Sequence, residues 1–261
     1  MTVIFEAASG ILCTTSDCIP DVVTTTRFAA PKTSGQPALL LADDIGATIS
    51  SGQKAIESGR PDEAIDLFSR AIAKDPQAVL YYYRGLAYNA KNRGDLAVKD
   101  FTTAIALQPH QASYYMVRGL SLFRTGQYQQ AIADFTTVMK LEPGNPYAAG
   151  KLAQALFYRG RTQKALDDLS QSIRLHGNNA ALYRLRGDIY CASGEYEDSV
   201  RDYNAAIQLD PNDSTSYNNR GIALANLGRT QEALEDLNTA MQIASSKPSS
   251  GRREKISNSP W

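Results

Sequence analysis

Apolar residues along this chain fall into pairs of helical runs that recur at one fixed interval. Residues 112–145, ASYYMVRGLSLFRTGQYQQAIADFTTVMKLEPGN, show the interval in full: two amphipathic runs, a turn centred on Gly126, and Pro143 near the end. Apolar positions three and four apart give each run a stripe that must be buried. Matching segments begin near Ile45, Ala78, Ala112, Pro146, Ala180 and Ser214, spaced by 33 and then four times by 34 residues. A period of this length marks an array of small repeats stacked on one another. The pattern predicts helix, tight turn, helix, loop, six times over, and therefore an all-α fold.

Each recurrence has a physical reason. Position 8 of the repeats reads Gly52, Gly85, Gly119, Ala153, Gly187 and Gly221, while position 24 reads Phe68, Phe101, Phe135, Leu169, Tyr203 and Leu237. Small residues at positions 8, 20 and 27 let two helices approach closely, and large apolar ones at 4, 11 and 24 fill the space beside them. Position 15 is Gly in five repeats and Asn92 in the second, as expected where a helix ends in a left-handed residue. Position 32 is Pro in four repeats, with Gly177 in the fourth and Ser245 in the sixth, which stops the second helix. Arg84, Arg118, Arg186 and Arg220 occupy position 7, and Asp100, Asp134, Asp168, Asp202 and Asp236 position 23. A basic stripe for an acidic ligand is one reading. An Arg–Asp pair bridging the helices of a repeat, or of neighbouring repeats, fits better, because the two charges come and go mostly together.

Six in-register copies of this pattern, from Ile45 to about Lys247, resemble the tetratricopeptide repeat family. The resemblance implies a right-handed superhelical solenoid with first helices lining a concave groove. It implies groove-facing positions 2, 5, 6, 9, 12 and 13. These give an aromatic and apolar half, with Tyr82, Tyr83, Leu86, Met116, Leu120, Tyr147, Phe157 and Tyr158. Lys151, Gln154, Arg184, Asp188, Asn218 and Asn219 give a polar half. Some members of the family bind acidic chaperone tails through a Lys/Asn, Asn, Lys/Arg clamp in three consecutive repeats. The first window here offers Ile49, Gln53, Tyr83, Ser113 and Val117, and the last Gly150, Gln154, Leu185, Thr215 and Asn219, so that role is disfavoured.

Composition narrows the partners. With 27 basic and 27 acidic residues the net charge is zero, which argues against nucleic acid or an anionic membrane. Residues 1–44 read as a mostly disordered leader with two basic and five acidic side chains, and 248–261 as a disordered basic tail. Cys13, Cys18 and Cys191 supply neither a disulfide framework nor a zinc spacing. No apolar run is long enough to span a bilayer, and the N-terminus lacks the basic region of a secretory signal, so a cytoplasmic location is expected. His110 and His176 fall in loops without companions, and paired carboxylates such as Asp167 and Asp168 point to different sides of a helix. No catalytic residue, metal site or cofactor is assigned, and the chain is not read as an enzyme.

The resulting expectation is a scaffold or adaptor that holds a peptide or helix of another protein in its groove. Two alternatives stand beside it. One is a structural subunit that self-assembles through its last repeat, where Leu234, Leu237, Ala240 and Met241 lack a visible polar cap. The other is a regulatory accessory subunit of an enzyme complex. Partner, pathway, oligomeric state and any targeting role of the leader are not legible.

Overall fold

The computed structural model describes residues 42–246, and the expectations for the leader, for Cys13 and Cys18 and for the basic tail lie outside them, apart from the few leader residues that begin the first helix. Twelve helices and no strand are found among the described residues. They form six pairs: α1 (Ala42–Glu57) with α2 (Pro61–Lys74), α3 (Ala78–Ala90) with α4 (Gly94–Leu107), and α5 (Ala112–Arg124) with α6 (Tyr128–Leu141). The others are α7 (Pro146–Tyr158) with α8 (Thr162–Leu175), α9 (Ala180–Ala192) with α10 (Tyr196–Leu209), and α11 (Ser214–Asn226) with α12 (Thr230–Ser246). The chain divides into two compact blocks between Gly177 and Asn178, so α1–α8 form one and α9–α12 the other. In each block every helix packs on the next in sequence, and successive first helices also touch.

The turn inside each repeat is set by one left-handed residue. Gly126 has φ 76°, and the Gln127 N–H then reaches back to the Leu122 carbonyl at 2.8 Å while the Gly126 N–H bonds to Phe123 at 3.0 Å. This arrangement satisfies carbonyls that the end of α5 would otherwise leave unpaired. Asn92 takes the same conformation with φ 56°, the only non-glycine among the described residues to do so. Second helices end two residues before the recurring proline: the intervening Asp75, Gln108, Glu142 and Asp210 leave the helical region, as a residue preceding proline must. Ser245 imposes no such stop, and α12 runs on to Ser246.

Packing explains position 8. A Cβ placed on Gly85 would lie 2.5 Å from Phe101 Cε1, and one on Gly119 2.7 Å from Phe135 Cε1. Phe68, Phe101, Phe135 and Tyr203 are completely buried against these glycines. The fourth repeat has Ala153 at position 8 and the shorter Leu169 opposite, both fully buried. The extra methyl goes with the loss of the aromatic ring, as close packing requires.

The Arg–Asp pattern is a strut of the fold. Arg84 holds Asp100 through two hydrogen bonds of 2.8 Å, and Arg118, Arg186 and Arg220 hold Asp134, Asp202 and Asp236 in the same forked way. Each Asp is buried and each Arg side chain about one-fifth exposed. The remaining Nη1 of Arg84, Arg118 and Arg220 donates to Ser69, Thr102 and Asn204, on the second helix of the preceding repeat. One guanidinium therefore joins three helices. A tyrosine one turn earlier lies under each of them, at 5.4–5.9 Å. The fourth repeat has Leu152 at position 7, and Asp168 takes Lys164 at 3.2 Å instead.

Candidate partner-binding site

The residues expected to line a groove lie in two sets, one in each block. In the α1–α8 block, the Tyr82 and Tyr83 rings are 4% and 7% exposed. Tyr82 packs edge-on to Tyr83 at 5.0 Å and lies 5.3 Å from Tyr114, while Tyr83 stacks on Phe68 at 5.9 Å. The ring faces are thus used by the core, although Gln53 reaches the Tyr83 hydroxyl at 3.3 Å. Burial raises the Tyr82 and Tyr83 hydroxyl pKa values and pushes Tyr114 up to about 12, so these phenols stay neutral. Met116 is also buried. Leu86, Leu120 and Gln154, all at position 9, remain partly exposed on α3, α5 and α7.

Along α7, Tyr147 and Phe157 are partly exposed and Tyr158 is 40% exposed. Lys151 is buried up to its ammonium, which donates to Gln154 Oε1 at 3.2 Å and lies 5.5 Å from the Tyr147 ring. At the C-terminal ends of α5 and α7 four rings gather. Tyr158 stacks on Tyr128 at 5.1 Å and meets Phe123 edge-on at 5.5 Å, with Phe157 6.0 Å away. Tyr128 was not singled out by the repeat pattern. It opens the second helix at position 17, where the other repeats carry Pro61, Gly94, Thr162, Tyr196 and Thr230, and a large ring at so variable a place was the available signal. His176, expected to be a solvated loop residue, caps the end of α8 and packs beside Gly144.

In the α9–α12 block three of the four predicted polar residues, Asp188, Asn218 and Asn219, are hydrogen-bonded together. Asp188 is buried, and its Oδ1 accepts from Tyr203 Oη at 2.8 Å and Asn219 Nδ2 at 2.9 Å. Asn218 donates to Asn219 Oδ1 at 3.1 Å, and Arg184 Nε lies 3.3 Å from Asp213 Oδ2. Burial raises the Asp188 pKa, against the opposing pull of the bonds from Tyr203 and Asn219 and of the Arg184 charge. Asp188 and Asn219 therefore act first as a brace between α9, α10 and α11, while Asn218 stays exposed and Arg184 partly so. The hydroxyl at position 24, unique to Tyr203, was the sequence clue to this brace.

Among the described residues no group of three or more His, Cys, Asp or Glu is placed to hold a metal ion. Nor is any helix among them long and apolar enough to cross a membrane. What the surface offers chemically is contact: half-exposed rings, apolar side chains and amides on first helices.

Four family models match the array. Three described as tetratricopeptide repeat cover residues 51–112 and 84–146, 122–189, and 214–245, and one described as TPR repeat covers 187–228. Solved structures show the same fold. A tetratricopeptide repeat protein from Parabacteroides merdae is 16% identical with TM-score 0.67, over 76% of this chain and 79% of that one. MamA from residue 41 onward, from Desulfovibrio magneticus RS-1, is 21% identical with TM-score 0.57, over 66% and 97%. YrrB, described as a TPR protein with an unusual peptide-binding site, is 20% identical with TM-score 0.52, over 69% and 93%.

Proposed function

The chain belongs to the tetratricopeptide repeat family, and from that premise we propose that it is a scaffold or adaptor whose first helices bind a segment of another protein. The observation that carries this is the division of labour within each repeat. Recurring glycines, large apolar residues and Arg–Asp pairs are consumed by packing, whereas position 9 varies and in the second, third and fourth repeats stays accessible, as Leu86, Leu120 and Gln154. With Tyr147, Phe157 and Tyr158 these form the contact surface, over a floor of Tyr82, Tyr83 and Met116. Adaptable apolar and aromatic side chains on a rigid base suit an extended or helical peptide. Lys151 with Gln154, and in the other block Arg184, Asp188, Asn218 and Asn219, would serve its polar groups. The peptide-binding site reported for YrrB supports the same use of the fold.

Leu86→Asp with Leu120→Asp tests this, because both side chains are only partly buried. Proteins captured by the wild-type chain from its native lysate should be lost from the double variant, with an unchanged circular dichroism spectrum. Undiminished capture would reject the assignment. A second reading, self-assembly through the last repeat, is favoured by Leu234 and Met241, which are 51% and 62% exposed two turns apart on α12. It predicts a concentration-dependent mass in light scattering that Leu234→Lys abolishes.

A further inference from the structure

The edge where the helices of the third and fourth repeats turn is unlike the rest of the array. It carries the stacked cluster of Phe123, Tyr128, Phe157 and Tyr158, whose rings brace one another at 5.1–6.0 Å. Mutual stacking holds these side chains in place before any partner arrives, so little entropy is lost when one does. Each neighbouring turn adds exposed cations. Arg124 directly follows Phe123, and Arg159 directly follows Tyr158, with Arg161 two residues on.

No acidic residue offsets them locally. Residues 124–133 and 158–166 contain three Arg and Lys164 but neither Asp nor Glu. Lys164 is paired with Asp168, and Arg124 reaches the amide oxygen of Asn92 at 3.3 Å. No described carboxylate forms an ion pair with Arg124, Arg159 or Arg161. The adjoining turns differ: Arg60 pairs with Glu63, Lys91 with Asp62, and Arg93 lies 3.8 Å from Asp95. The excess charge is therefore local to the aromatic cluster.

We propose that this edge is a second interaction surface, which takes an acidic segment of a partner protein bearing an aromatic or large apolar anchor. The anchor would rest on the exposed part of Tyr158 and its neighbours. Flanking carboxylates would take the guanidinium groups, whose fork matches a carboxylate in two hydrogen bonds. Clusters of Tyr and Arg are the residue types that dominate binding energy where they are buried by a partner. A nucleic-acid strand fits less well. It needs a track of cations along its backbone, and the adjoining turns are neutralised in a chain of zero net charge. This surface shares Phe157 and Tyr158 with the groove reading but adds Phe123, Tyr128 and the unpaired arginines, and the Leu86 and Leu120 substitutions test the two apart.

The test is fluorescence anisotropy with the full chain and four labelled probes: an Asp/Phe peptide, its Asn/Phe and Asp/Ser counterparts, and oligothymidylate. The Asp/Phe peptide should bind more tightly than either counterpart and weaken as salt rises. Arg159→Glu with Arg161→Glu, both exposed, should weaken it about tenfold or more, and Tyr158→Ala should also weaken it. Leu86→Asp with Leu120→Asp should leave it unchanged. The proposal is overturned by no binding of the Asp/Phe peptide, by equal binding by the charge-reversed variant, or by tighter binding of oligothymidylate. Loss on substituting Leu86 and Leu120 instead would assign the peptide to the groove and overturn the edge.

Discussion

Substituting Gly85 by Ala, alone and with Phe101→Leu, asks whether the glycine is required by the ring it faces. An added Cβ would lie 2.5 Å from Phe101 Cε1 and 2.9 Å from Cδ1 and Cζ, where ordinary contacts begin at 3.4 Å. The ring must retreat by about 0.9 Å, the difference between the closest approach and that limit. It has little room, being completely buried with Tyr82 6.2 Å away. Overpacking of this kind costs about 1–3 kcal/mol, and replacing a mid-helix glycine by alanine returns about 1 kcal/mol. Gly85→Ala should therefore destabilise by roughly 0–2 kcal/mol. In the Phe101→Leu background the same change should stabilise by about 1 kcal/mol, since only the helix gain remains. That pair reproduces Ala153 opposite Leu169 in the fourth repeat. Repeat arrays unfold in parts, so the cycle is best read from hydrogen exchange of α3 and α4 amides rather than from one global midpoint. A coupling energy near zero would refute the argument, as would Gly85→Ala stabilising the wild-type background by its full helix gain.

Three further outcomes follow from the same structure. Asp134→Ala should cost about 2–4 kcal/mol in urea unfolding because it strands the Arg118 guanidinium, whereas Arg118→Met with Asp134→Leu should recover most of that loss. Asn92→Gly should be neutral or stabilise by up to about 1 kcal/mol, and Asn92→Ala should destabilise by about 1 kcal/mol, since φ is positive there. The Asp188 pKa is raised in the folded state, so its stabilising contribution is complete below the unfolded carboxylate value of 3.8 and is lost as pH rises through the folded value. Asp188→Asn can still accept from Tyr203 and Asn219, so the stability of the variant relative to wild type should increase from pH 4 to pH 7. A constant difference would show that Asp188 does not titrate in that way.

Most of the fold was legible because the same contact is written many times. One glycine opposite one phenylalanine says little; the same pair at Gly52, Gly85 and Gly119, with Ala153 opposite Leu169 as its exception, identifies a close approach. The charges at positions 7 and 23 were legible for the same reason, and the structure settles them as forked pairs. The candidate site was less legible, because it occupies positions that the repeat leaves free. Whether such a side chain is buried depends on what its neighbours supply. Tyr82 meets Phe101 and Tyr114 and goes inside, while Tyr158 stays 40% exposed although Phe123, Tyr128 and Phe157 pack against it. The Asp188 brace could not be read from a period either, since it joins three residues from three helices and occurs once. The run of α12 to Ser246 went unread, because Ser245 and the serines after it look like the start of a polar tail although no proline stands at position 32.

Hydrogen exchange of the chain with and without a captured partner tests the scaffold reading most directly. The account predicts added protection in the first helices α3, α5 and α7, spanning residues 78–90, 112–124 and 146–158, and little change in α4 and α6. Protection confined to second helices, or to α12, would contradict it.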